Sequence, residues 1–69
     1  MQITSADPST PTRILVIDDE KGVREGCRRV LQDDRVAVDT AEDAFAGLDL
    51  LKQTDYDLVY VDVKMPGMD

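Results

Sequence analysis

The chain alternates between two kinds of apolar pattern. Ile14, Leu15, Val16 and Ile17 form an unbroken, mostly β-branched run. A run without alternation predicts a strand covered on both faces, as in a parallel sheet. From about Glu20 to Gln32 the spacing changes. Val23, Cys27, Val30 and Leu31 fall on one stripe of an amphipathic helix, with Lys21, Arg24, Glu25, Arg28 and Arg29 over the rest of its surface. Gly22 and Gly26 each weaken such a helix by roughly 1 kcal/mol relative to alanine, so packing must hold it. Asp33 and Asp34 end it against the helix dipole. In "RVAVDT" (35–40), Val36 and Val38 alternate with Ala37 and Asp39, which predicts a short strand with one drier face at a sheet edge. "AEDAFAGLDLLKQT" (41–54) reads as a second helix capped by Asp43 or Thr40. Its expected core stripe is Ala44, Leu48 and Leu51, flanked by Ala41 and Phe45. The turn "DYD" then leads to Leu58–Val61, another apolar run that reads as a buried strand.

The order is β-α-β-α-β, the signature of an α/β protein with a parallel sheet. Residues 1–12, polar with Pro8 and Pro11, read as a flexible leader. At 69 residues the chain holds one domain at most, and a domain of this size buries only about 60% of its unfolded surface. Apolar residues make up 42%, a globular composition. Cys27 is the single cysteine and there is no histidine, so an internal disulfide is excluded and a structural zinc site has no ligand set.

Charge narrows the partners. Fifteen acids against eight bases give a net −7, which argues against nucleic acid or an anionic membrane as a direct partner and fits a cation or a basic surface. No apolar run has membrane-spanning length, and the N-terminus lacks the basic start and apolar core of a secretory signal. A cytoplasmic location is expected.

The first strand ends "VIDDE" and the third "YVD". In a parallel sheet all carboxyl ends lie on one edge, where open α/β sheets bind ligands. If the two strands are neighbours, about 4.8 Å apart, Asp18, Asp19 and Asp62 converge. Carboxylates packed so closely repel one another unless a cation neutralises them, and hard oxygen donors suit Mg²⁺. A carboxylate beside Mg²⁺ is also placed to attack a phosphoryl group. Taken alone, Asp18-Asp19 is as well explained by a helix cap, and "MPG" by an ordinary turn. Asp62 after a buried strand is harder to explain structurally, because such a position rarely tolerates an unpaired charge.

Together, "ILVIDDE" (14–20), "AEDAFAGLDLL" (41–51) and "YDLVYVDVKMPGMD" (56–69) resemble the N-terminal part of a response-regulator receiver domain, the phosphoacceptor of two-component signalling. The resemblance covers residues 13–69. It implies a flavodoxin-like, doubly wound parallel sheet, truncated to β-α-β-α-β, with strand order 2-1-3. It matches Asp62 to the phosphorylated aspartate, Asp19 to the direct Mg²⁺ ligand and Asp18 to the acid that binds the metal largely through water. The backbone carbonyl of Lys64 matches the third protein ligand, and Met65-Pro66-Gly67 the turn after the acceptor. Glu20 fits the family's frequent third acid and is expected to act as a helix-start residue and not as a metal ligand.

The family fold has five strands and five helices, so strands four and five are missing from this sequence, with the Ser or Thr and the Lys they carry. The chain is therefore expected to be a fragment, not competent to switch alone, whose third strand has an open edge capable of self-association. The implied function is phosphoryl acceptance from a histidine kinase or phosphotransfer protein onto Asp62, as a switch and not a turnover enzyme. The alternative is a half-receiver that docks a kinase or dimerises without being phosphorylated. A phosphatase or phosphotransferase of the Asp-nucleophile type needs a second acid two residues after the nucleophile. Lys64 stands there instead.

Overall fold

The computed structural model describes residues 10–62. Its elements follow the expected order: β1 (Thr12–Ile17), α1 (Lys21–Leu31), β2 (Val36–Ala41), α2 (Ala44–Gln53) and β3 (Leu58–Val61). The three strands are parallel and lie in the order β2-β1-β3. β1 begins at Thr12, inside the stretch expected to be leader.

β1 is covered on both faces, as its unbroken run requires. Ile14, Leu15, Val16 and Ile17 are all buried. On one face Ile14 and Val16 meet Val38, with Cys27 of α1 and Val36 packed against them. On the other, Leu15 and Ile17 meet Ala41, with Ala46 and Leu50 of α2 and Tyr56 against them. The strand's period of two thus hands alternate residues to the two helices. Fully burying a side chain such as Leu15 or Val16 contributes roughly 2 kcal/mol. β2 is an edge strand, and Val36 and Val38 form its drier face towards α1, as the alternation predicts.

Asp43 caps α2. Its carboxylate accepts a hydrogen bond from the Ala46 N–H at 2.8 Å. The expected α2 stripe is not the one that packs. Leu48, Leu51 and the flanking Phe45 are 54%, 38% and 81% exposed, and the core contacts come from Ala46, Gly47 and Leu50. The reason is steric. A Cβ on Gly47 would lie 2.4 Å from Ile17 Cδ1 and 2.9 Å from Cγ1. The helix comes this close to β1 because that position has no side chain, and the close approach selects the small-residue face over the large-residue face. In α1, Cys27 packs as expected, but the other stripe residues, Val23, Val30 and Leu31, are exposed.

β3 also departs from its expected burial. Leu58, Val59, Tyr60 and Val61 are all exposed. Among the described residues β3 pairs with β1 alone, and neither helix packs on it.

Candidate functional site

The register brings the two strand ends together. Ile17 is the partner of Val61, so Asp18 and Asp62 each follow the last paired residue of neighbouring parallel strands. The ladder continues past both strands. The Asp62 N–H donates to the Ile17 carbonyl at 3.0 Å, and the Asp18 N–H donates to the Ala41 carbonyl at 3.0 Å. The backbone that carries the acids is therefore fastened to β2 on one side and β3 on the other.

Asp18 is buried, at 3% exposure, and Asp19 and Glu20 are exposed. A buried carboxylate needs a hydrogen-bond donor, and Asp18 Oδ1 accepts the Glu20 N–H at 2.9 Å. That bond folds the strand-to-helix turn back on itself. Carboxylate oxygens of Asp18, Asp19 and Glu20 all lie within 4.8 Å of one another. Glu20 is the N-cap of α1 without a side-chain capping bond, so the helix-start reading holds and its carboxylate also joins the acidic cluster. Asp62, half-buried, sits on the same rim as this cluster but is not one of its three members. Lys64 and Met65-Pro66-Gly67 lie outside the described residues.

The donor set is hard, anionic and compact. Such a set suits Mg²⁺, which takes one or two carboxylates and keeps several waters. Nothing in it, neither thiolate nor imidazole, would favour a softer metal.

Arg24 is a residue whose role the sequence pattern did not reveal. Its guanidinium donates to the Asp18 carbonyl at 2.7 Å. One signal was available. The first turn of α1 has no acid and carries Lys21 and Arg24, bases placed against the helix dipole, so a base there calls for a local partner.

At the opposite end of the strands the chain is tied by a second network. Arg13 and Asp57 exchange two bonds, Arg13 N–H to Asp57 Oδ2 at 2.8 Å and Asp57 N–H to the Arg13 carbonyl at 2.8 Å. The Tyr56 hydroxyl donates to Asp39 Oδ2 at 2.5 Å, and the Arg13 guanidinium lies 3.7 Å from the same oxygen. Burial, then the Asp39 carboxylate, raise the Tyr56 pKa above its ordinary value. This network holds the start of β3 in register with β1, and with it the position of Asp62 at the other end.

Comparison with known proteins agrees with this arrangement. The family model for the response regulator receiver domain matches residues 14–69. The chain is 44% identical over 59 residues to a protein named response regulator MprA from Mycobacterium sp. (strain KMS), covering 86% of this chain and 26% of that protein. It is 36% identical over 63 residues to the transcriptional regulatory protein ResD of Bacillus subtilis (strain 168), covering 91% of this chain and 26% of that protein. The chain thus spans about a quarter of the length of the curated relatives it matches. No solved structure matches.

Proposed function

The chain belongs to the response regulator receiver domain family, and from that premise we propose that Asp62 is its phosphoryl acceptor. The donor is the phosphohistidine of a histidine kinase or phosphotransfer protein. A carboxylate oxygen of Asp62 forms a bond to phosphorus as the phosphorus–nitrogen bond breaks. The electron pair stays on the imidazole nitrogen, and Asp62 becomes an acyl phosphate. The product is a signalling state and not a turned-over substrate.

Asp19 and Asp18 hold Mg²⁺ in this reading, with Asp62 itself and the Lys64 backbone carbonyl completing the protein ligands. When bound, Mg²⁺ supplies the positive charge that offsets the transferring phosphoryl group in an otherwise acidic pocket. The chain's own contribution is placement. The paired ends of β1 and β3 set Asp62 on the same rim as Asp18 and Asp19, and the Glu20 N–H steadies the Asp18 carboxylate.

The observation that carries this reading is the parallel β1–β3 register, Ile17 opposite Val61, which puts the carboxylates of both strand ends on one rim. Acetyl phosphate with Mg²⁺, followed by intact-mass measurement, tests it. The parent chain is expected to gain one phosphoryl group, and Asp62→Asn none. Equal labelling of the two proteins would remove Asp62 from the role.

A further inference from the structure

We propose that Arg24 is a positioning residue for the acidic pocket. By gripping the Asp18 carbonyl it fixes the Asp18–Glu20 turn that presents the cation-binding oxygens. The proposal rests on the Mg²⁺ pocket reading above and adds a residue to it.

The turn has three fasteners. The Asp18 N–H is tied to Ala41, the Glu20 N–H to Asp18 Oδ1, and the Asp18 carbonyl to Arg24. The first two hold the turn's ends. The third comes from the next element, one turn into α1, and sets how the turn leaves the sheet. Arg24 also belongs to the opening hydrogen bond of α1, its N–H donating to the Glu20 carbonyl at 3.1 Å. One residue therefore locks the strand end and the helix start to each other through backbone and side chain.

The choice of target atom matters. A guanidinium beside carboxylates ordinarily forms a bidentate ion pair with one of them. Here Arg24 binds a main-chain carbonyl. The ion pairs among the described residues are Arg13–Asp39 and Lys21–Glu25, neither of which uses the cluster acids. The turn that carries the Asp18 and Asp19 carboxylates is thus held by a residue that forms no ion pair with either of them.

This role has a sign that a charge role lacks. Removing a positive charge near a cation site strengthens cation binding by electrostatics alone. Removing a positioning contact weakens it, by about tenfold for a residue that orients metal ligands.

The experiment compares the full chain with Arg24→Gln in two arms. The first is Mg²⁺ affinity by calorimetry with the metal alone. The second is hydrogen exchange of the Glu20 amide in metal-free protein, referenced to the core amides of β1. Positioning predicts Mg²⁺ binding weaker by about tenfold and faster Glu20 exchange with β1 unchanged. Tighter Mg²⁺ binding, or Glu20 exchange that stays level with β1, overturns the proposal. If the parent chain fails to bind Mg²⁺, the pocket reading falls, and the exchange arm still decides whether Arg24 fixes the turn. Should Arg24→Gln unfold, Arg24→Lys keeps charge and stem, and must show the same two changes at smaller size.

Discussion

The Asp62 N–H donates to the Ile17 carbonyl at 3.0 Å, one residue before Asp18. A single backbone bond thus ties the candidate acceptor to the strand that carries the acidic cluster. Its consequence is that the pocket's two halves cannot move apart without breaking the β1–β3 ladder. Substitutions that loosen β3 should therefore impair the pocket even when they lie far from it.

The cluster acids are separable by role. Asp19→Asn removes an exposed charge from the cluster and should weaken Mg²⁺ binding by at least about tenfold, with thermal stability little changed. Asp18→Asn keeps the size of the buried side chain but halves its accepting capacity, so it should weaken both Mg²⁺ binding and stability. Calorimetric Mg²⁺ titration beside thermal melts of the two variants checks this. Equal melting losses in both would contradict the division.

Two glycine-to-alanine changes should act in opposite directions. At Gly47 the new Cβ meets Ile17 Cδ1 at 2.4 Å and Cγ1 at 2.9 Å, so the buried Ile17 side chain must shift. Overpacking of this kind costs about 1–3 kcal/mol, more than the roughly 1 kcal/mol gained in helix propensity. Gly26 has nothing within 4 Å of an added Cβ, so Gly26→Ala should stabilise by about 0.5–1 kcal/mol. Urea unfolding of both variants tests the contrast, and a stabilised Gly47→Ala would show that α2 does not lie this close to β1.

This contrast also marks the limit of the sequence pattern. The unbroken Ile14–Ile17 run was enough to predict a two-faced central strand, because only burial on both sides makes such a run favourable. In "AFAGLDLL" nearly every position of α2 is apolar, so helical spacing admits more than one stripe. Large residues suggested the wrong one, and the steric fit of Gly47 to Ile17, which decides between them, is a tertiary fact. For β3 the composition of "LVYV" pointed to a covered strand, whereas the open edge expected from the resemblance pointed towards the exposure found. The shared rim of Asp18, Asp19 and Asp62 was legible because the carboxyl ends of parallel strands lie on one edge. Arg24 was marked only by its place as a base in the first turn of α1, because a hydrogen bond to a main-chain carbonyl leaves no trace in side-chain spacing.

The Tyr56–Asp39 bond should make stability depend on pH at the alkaline end. The folded-state pKa of Tyr56 is raised above 10.0 by burial first and the Asp39 carboxylate second. The bond's contribution is therefore complete below pH 10.0 and is lost as pH rises through the folded-state value. Asp39 is partly exposed, so Tyr56→Phe should cost about 1 kcal/mol at neutral pH. Unfolding curves for parent and Tyr56→Phe should converge as pH climbs, and a constant gap would show that the bond does not govern this ionisation.

We propose that the ends of β1 and β3 form one cation-binding acceptor pocket. Mg²⁺ titration of the labelled chain, followed by two-dimensional amide NMR, tests it most directly. The Asp19 and Asp62 amides should shift together along one saturating curve, while Asp33, Asp34 and Asp57 stay still. Shifts at Asp19 with Asp62 unmoved, or a response centred on the other acids, would contradict it.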